Sequence, residues 1–142
     1  FKIKDTGTAT IKATSKASGK TATVTIKGIR KAVKVRITEN ADMDLAAGQS
    51  MTLKAKLYDS EGKAPTQNTV SWSLSGSGAS YATISSSGKF TVKSSFKGDP
   101  AVVTVTARAT DGSGAMETWP ITIYPIVKSV TIDMPTGVYA NT

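Results

Sequence analysis

The sequence predicts an all-β protein built as an antiparallel β-sandwich, and three observations carry that prediction. Apolar and polar residues alternate with a period of two in most segments, which is the pattern of half-buried strands. Clusters rich in Gly, Ser and Asp separate these segments, as turns between short strands require. No window of helical length shows an apolar stripe of period 3.6, and the many Thr, Ser and Val residues favour strands over helices.

The alternation also predicts which side chains form the core. In SMTLKAKLYD (50–59), Leu53 and Leu57 fall on one face, and Lys54 falls on the other. Applied to every predicted strand, the same rule gives a core made of Leu53, Leu57, Val70, Trp72, Ile84, Phe90, Val103, Val105, Ile121 and Ile123.

The two tryptophans receive different predictions. Trp72 lies between Val70 and Leu74 at a spacing of two, so we expect it to pack between the two sheets rather than to stack on a sugar or a base. Trp119 precedes Pro120, which lacks a backbone donor and therefore predicts an edge strand. Core packing is the favoured interpretation of Trp119, and partial exposure with contact to a neighbouring molecule is the alternative. Tyr81 and Tyr124 are expected to cover the ends of the core.

The chain contains two pairs of segments that are similar in sequence. TATIKATSKASGKTATVTI (8–26) is similar to VVTVTARATDGSGAMETWPITI (102–123), and VKVRI (33–37) is similar to VKSVTI (127–132). The matched pairs are Ile11 with Val105 and Ala13 with Ala107, 94 residues apart; Val24 with Ile121 and Ile26 with Ile123, 97 apart; and Val35 with Val130 and Ile37 with Ile132, 95 apart. A period of this size is typical of tandem sandwich domains.

This period predicts three parts. Residues 1–28 are the last hairpin of one unit, residues 30–125 are a complete unit, and residues 126–142 hold the first strand of a third. The chain is therefore expected to be a piece of a longer array. The short joints between units, 27–33 and 124–129, are expected to limit bending, and Pro125 stiffens the second of them.

The middle unit carries an ordered series of short motifs: VRI (35–37), Leu45, Gly48, LKAKL (53–57), VSWS (70–73), YATI (81–84), GKFTV (88–92), Gly98, VTVTARA (103–109) and DGSG (111–114). Through these motifs the unit resembles the bacterial immunoglobulin-like group 2 (BIG2) family over almost its whole length. Two stretches depart from the family pattern: SSFKGDP (94–100), and Trp119 with Pro120.

The resemblance implies an immunoglobulin-like sandwich used as a repeated module without catalytic residues. It implies an extracellular place, on a bacterial surface or secreted, with a phage virion surface as the alternative. The function expected is that of a spacer that presents a functional tip. The alternative is a recognition module whose loops or edge strand bind a glycan, a host protein or a wall or phage component.

The net charge of +8 is concentrated at the start of the chain. Residues 1–32 hold eight basic residues and one acid, residues 33–125 hold nine and eight, and the remainder is neutral. Phe1 is the one aromatic residue in the first 32, whereas single-strand nucleic-acid sites interleave cations with aromatics. Solvated strand faces are therefore the favoured interpretation, nucleic acid is disfavoured, and adhesion to a polyanion through residues 1–32 stays a third hypothesis.

Chemistry-bearing residues are scarce. The chain has no histidine and no cysteine, so the usual nucleophile–base pairs and zinc sites cannot be assembled, and neither an enzyme nor a cofactor is predicted. Acidic residues cluster in ENADMD (39–44) and DSEG (59–62). They could hold calcium only if the two loops met at one pole. The candidates are Glu39, Asp42, Asp44, Asp59 and Glu61.

Partners are expected among neighbouring units of the same chain. The terminal segments are too small to fold alone. We therefore expect hairpin 8–27 either to lie against the middle unit or to pair in trans with strand 127–133 of another copy. No apolar run is long enough to span a bilayer.

Overall fold

The computed structural model of the chain describes residues 6–38, 44–127 and 129–132. None of the helices within these ranges has the length and apolar content needed to cross a membrane. The elements, in chain order, are β1 (Gly7–Thr14), β2 (Thr21–Gly28), β3 (Lys34–Ile37), β4 (Asp44–Ala46), β5 (Ser50–Thr52), β6 (Ala55–Tyr58), β7 (Val70–Ser75), a 3-10 helix (Ala79–Tyr81), β8 (Ala82–Ile84), β9 (Lys89–Val92), β10 (Ala101–Ala109) and β11 (Met116–Tyr124).

Strands β3 to β11 form two layers. One layer has the order β4-β11-β10-β7, in which the β11–β4 pair is parallel and the other pairs are antiparallel. The other layer contains β3-β6 and β5-β9-β8. These two groups are continuous, because only Leu53 and Lys54 separate β5 from β6 and both are hydrogen-bonded: Leu53 N donates to Gly88 O (2.9 Å), and Lys54 O accepts from Thr38 N (2.8 Å). The predicted all-β, immunoglobulin-like sandwich is confirmed.

The core lies between these two layers and follows the period-two pattern. Its largest side chains, each under 2% exposed, are Phe90, Val92, Val103, Val105, Ile121 and Ile123. Removing one such side chain from water is worth about 1.5–3 kcal/mol. Leu53 and Leu57 are buried with them, whereas Val70, Trp72 and Ile84 are half-buried and pack against the cluster from its margin.

Trp72 is less enclosed than expected because of where β7 lies. This strand has one neighbour, β10, and forms an edge of its sheet, with Trp72 opposite Ala107. The Trp72 ring packs towards the position of Gly88 on the other layer. Its face therefore contributes to the core while part of the indole stays exposed.

The strand that contains Pro120, β11, is predicted to lie at a sheet edge. This prediction is wrong for the last residues of β11. Pro120 lies opposite Thr104 of β10, and β4 pairs with β11 only from Thr122 to Tyr124. The missing donor of Pro120 thus falls where β11 has no second partner, and β4 covers the strand beyond it. Trp119 is half-buried against the core.

Strands β1 and β2 form a separate two-stranded sheet. All eight residues of β1 are exposed, and in β2 only Gly28 is buried. The expectation that hairpin 8–27 lies against the middle unit is therefore wrong. Pairing in trans stays a prediction. Of the third predicted part, residues 126, 127 and 129–132 are exposed and form no strand.

The strand register corrects one step of the repeat. Ile11 lies opposite Val24 in the first hairpin, and Val105 lies opposite Trp119 in the hairpin of β10 and β11. Because Ile11 matches Val105 at an offset of 94 residues, its partner Val24 must match Trp119, at an offset of 95 residues. The offset of 97 assigned to Val24 and Ile26 is wrong. With 95, Ile26 matches Ile121, and Gly19 matches Gly114, two glycines with positive φ (68° and 81°).

Gly88 is required where the two layers meet. Its φ is +85°, and a Cβ added there would clash with the carbonyl oxygen of Leu53. We expect Gly88→Ala to lower the free energy of unfolding by about 3 kcal/mol or more, measured by urea denaturation. Gly114→Ala is the matched control, since its φ is +81° with no atom within 4 Å of the added Cβ. It should cost only about 1–2 kcal/mol. Equal losses would contradict this role.

Candidate functional site

The first joint, residues 27–33, is held against one end of the sandwich by backbone hydrogen bonds. Arg30 N donates to Thr66 Oγ1 and Thr66 N donates to Arg30 O, both at 2.9 Å. Val33 N donates to Tyr58 O at 2.8 Å. Ala32 between them is only 3% exposed. The joint is therefore part of the folded unit, and we call this the joint end of the sandwich.

An ion pair fixes the side chain of Arg30. Its Nε lies 3.1 Å from Asp59 Oδ2, and the Asp59 side chain is only 2% exposed. The other oxygen, Asp59 Oδ1, accepts from the backbone N–H groups of Glu61 and Lys63, each at 2.9 Å. Lys63 Nζ lies 3.1 Å from a Glu61 carboxylate oxygen, at the exposed edge of the same loop. Removing one partner of a buried pair leaves the other charge uncompensated, so the Arg30–Asp59 pair couples the joint to this loop.

A second carboxylate holds the joint from another loop. Asp111 Oδ2 accepts from Ala32 N at 2.6 Å, and Asp111 Oδ1 accepts from Ser113 N at 2.9 Å. Asp59 and Asp111 play the same part, because each begins a tight turn after a strand and binds the backbone N–H two residues on. The Asp that opens DSEG and DGSG was the available sequence signal. Its second partner, in the joint, is visible only in the fold.

Both carboxylates have lowered pKa values. Hydrogen bonding from the backbone of Lys63 is the largest cause for Asp59 and outweighs the effect of burial, with help from Glu61 N–H and the charges of Arg30 and Lys63. Burial alone would raise the pKa of Asp111, but hydrogen bonds from Ser113 and Ala32, with the charge of Lys31, lower it. Both groups are therefore held ionised by contacts that exist only when the joint end is folded.

Chain entry and exit lie at opposite ends of the sandwich. Strand β11 starts at Met116, close to the Asp111 loop at the joint end, and finishes at Tyr124. Eight residue steps of a strand span about 26 Å. At this far end Tyr124 O accepts from Ala47 N, and Tyr81 packs against Phe96 with ring centroids 4.8 Å apart. Tyr81 and Tyr124 are 40% and 38% exposed, so each covers the far end only in part.

This geometry separates the calcium candidates. Asp44 pairs with Thr122 near the far end, whereas Asp59 and Glu61 lie at the joint end, so these loops do not meet. Asp59 already binds Arg30, and Glu61 contacts Lys63. Glu39 and Asp42 lie outside the described residues. Within 6–38, 44–127 and 129–132, no three acidic residues group as metal ligands.

Comparison with known proteins gives no match to a protein family and none to a curated protein. The charged groups of this site bind backbone and each other at the joint, which is an arrangement that holds a segment in place.

The joint should respond to acid through Asp59. Because its pKa is lowered on folding, the carboxylate stabilises the fold above the ordinary value of 3.8, and this contribution is lost as the pH falls through the folded pKa. We expect Asp59→Asn to lower the urea midpoint at pH 7, and the difference from the natural chain to disappear at low pH. Urea titrations between pH 2 and pH 7 measure this.

Asp111 is present in both proteins, so the difference between the two curves isolates the contribution of Asp59. Asp99→Asn, at an exposed loop position, is the control for the loss of one carboxylate and should leave the urea midpoint at pH 7 as it is. A constant difference between the natural chain and Asp59→Asn at all pH values would contradict the assignment.

Proposed function

We propose that the chain is a non-catalytic spacer, one link in a rod of immunoglobulin-like units that holds a functional tip away from a bacterial surface. The observation that carries the proposal is the opposite placement of the joint end and the far end. A unit entered at one end and left about 26 Å away extends a chain of such units at every repeat. Each unit then adds length, which is what a spacer needs.

The resemblance to the BIG2 family supports this proposal through residues that have clear structural roles. Leu45 is buried, and Gly48 has a φ of +84° at the turn that follows β4. Gly88 lets the Trp72 ring and the Leu53 carbonyl approach. A repeated module of that family would be extracellular, on a cell surface or secreted, and its closest partners would be the neighbouring units of its own chain.

The joint contacts support a stiff rod. A linker that only connected two units would leave its residues in solvent, whereas this joint binds two loops through Asp59 and Asp111 and a third residue, Thr66. Its backbone has fixed partners on each side of Ala32. The direction of the preceding hairpin is therefore set by the unit that follows it.

The natural chain has no cysteine, so two spin labels can be attached specifically through the substitutions Thr25→Cys and Ser73→Cys. The distance between the labels then reports the stiffness of the joint. We expect a narrow distance distribution by double electron–electron resonance. Arg30→Ser should broaden it, because the Asp59 contact that orients the joint is lost. Lys34→Ser is the control, since it removes a nearby cation without touching the joint bonds. A distribution equally broad in all three proteins would refute a stiff spacer.

The hairpin β1–β2 has an apolar face that no described residue covers. Its apolar face holds the pairs Ala9 with Ile26, Ile11 with Val24 and Ala13 with Ala22. By the offsets of 94 and 95, four of these match Val103, Val105, Ala107 and Ile121, which are 0–1% exposed in the middle unit. In a longer array the rest of the preceding unit would cover this face.

In the 142-residue chain alone, a second copy could supply the cover through residues 127–133. Val130 and Ile132, 83% and 84% exposed, match Val35 and Ile37 of β3, a strand that contacts β10 and β11 in the middle unit. We expect the chain to self-associate reversibly in sedimentation experiments at micromolar concentrations, and Val24→Lys to make it monomeric. Thr25→Lys, on the opposite face, is the control. A natural chain that stays monomeric would exclude trans pairing.

A further inference from the structure

The two outer faces of the folded unit differ in charge, although residues 33–125 hold nearly equal numbers of basic and acidic residues. The layer β3, β5/β6 and β9 turns five cations outwards, and we call this surface the basic face: Lys34, Arg36, Lys54, Lys56 and Lys89. Among the described residues, no carboxylate lies on the outward side of these strands; Asp59 borders the face, but it is only 4% exposed and lies 3.1 Å from Arg30 Nε. The outer face of the other layer is rich in Ser and Thr and carries one cation, Arg108, and one acid, Asp44.

The other described acids are placed elsewhere. Asp59, Glu61 and Asp111 are at the joint end. Glu117 accepts from Ile37 N, and Asp99 lies in the loop between β9 and β10. The side chains of Lys34, Arg36, Lys56 and Lys89 consequently make no hydrogen bond or ion pair with any described residue. These four charges are available to a ligand.

The strand register concentrates the charges. Arg36 lies directly opposite Lys56 on the neighbouring strand, and Lys34 is two residues from Arg36 on the same side of β3. Neighbouring strands are about 4.8 Å apart, and alternate residues on a strand are about 7 Å apart. Like charges directly opposite each other destabilise a sheet. Within the described part of the chain no carboxylate separates this pair, so an external anion bound there would reduce the repulsion between the two cations.

A depression at one side of the basic face adds an aromatic surface to these cations. It has a volume of about 430 Å³ and opens next to the turn that follows β6. Its lining residues are Val33, Lys34, Arg36, Tyr58, Asp59 and Gly62. Tyr58 is half-buried and lies opposite Lys34. A phenol ring beside two cations is suited to a sugar ring that carries an acidic group.

We propose that the basic face is a binding site for a linear anionic polysaccharide, with one acidic sugar in the depression at Lys34, Arg36 and Tyr58 and the chain continuing over Lys56 towards Lys89. The depression borders the joint end at Val33 and Asp59, but the cations that carry this proposal lie on the side of the unit and take no part in the joint contacts. In a rod of units, each copy of such a side would add a weak contact, and several together would give avidity.

The surface favours a polysaccharide over a single-stranded nucleic acid. Nucleic-acid sites of that kind stack successive bases on several aromatic side chains. On the basic face Tyr58 is the one aromatic among the described outward residues. A polysaccharide with carboxylate or sulfate groups along an extended chain needs the row of cations and only one ring. The face is made of β-strands with outward side chains, and no described element projects from it to enter the groove of a duplex.

The test uses the intact 142-residue chain and three probes in isothermal titration calorimetry at low salt. Heparin represents sulfate groups, polygalacturonate represents carboxylate groups, and an oligothymidylate of matched charge represents nucleic acid. We expect at least one polysaccharide to bind more tightly than the oligonucleotide. Lys56→Glu should weaken this binding about tenfold or more, since it removes one cation and pairs with Arg36.

Lys12→Glu is the matched control, because it makes the same charge change on the exposed polar face of hairpin β1–β2. It should leave the affinity within about twofold of the natural chain. The melting temperature of Lys56→Glu should be unchanged or higher, because an opposite-charge pair replaces a like-charge pair. This separates lost binding from lost folding.

Three results would overturn the proposal. One is absence of binding to both polysaccharides. Another is oligonucleotide binding as tight as, or tighter than, polysaccharide binding. The third is a Lys12→Glu variant that loses affinity while Lys56→Glu retains it, because the polyanion would then bind the basic N-terminal hairpin.

Discussion

The burial of one apolar face from each layer is the interaction on which the rest of this structure depends. The chain has no cysteine, so no disulfide can compensate for a poorly filled core. Phe90, Val103, Val105, Ile121 and Ile123 meet between the sheets at 0–1% exposure. Because side chains alternate along a strand, this burial also decides what lies outside. The outward residues of the same strands then form the surfaces that the protein can use.

The joint and the basic face are two consequences of that arrangement. Filling the core brings the turns that begin at Asp59 and Asp111 to the same end of the sandwich, where both carboxylates reach the joint. The same packing turns Arg36 and Lys56 to one side. The joint is held by hydrogen bonds at one end of the unit, and the chain leaves at the far end, as a spacer requires. The basic face can also contact an anionic surface along the length of the unit. The two proposed functions depend on different charged pairs, Arg30 with Asp59 at the joint and Arg36 with Lys56 on the basic face.

Much of the fold could be predicted, because period-two alternation is a local property. Leu53 and Phe90 follow it and are buried. Phe96 was missed, since it lies in the turn-rich stretch SSFKGDP, where no alternation exists, and yet it is 3% exposed against Tyr81. Trp72 was expected to be enclosed, but its strand is a sheet edge, and strand order is not a local property. The repeat was visible in the sequence, but its offset needed the pairing of Ile11 with Val24.

The sequence by itself determined the class of fold, the turn positions and five of the six largest fully buried side chains, because each of these depends on neighbours within a few residues. It also placed an Asp at the start of two tight turns. Only the tertiary structure decided that Asp59 binds Arg30, 29 positions earlier, and that Asp111 binds Ala32, 79 positions earlier. It likewise decided that five cations of a nearly neutral unit share one face, because residues distant in the chain become neighbours only when the strands pair and the core closes.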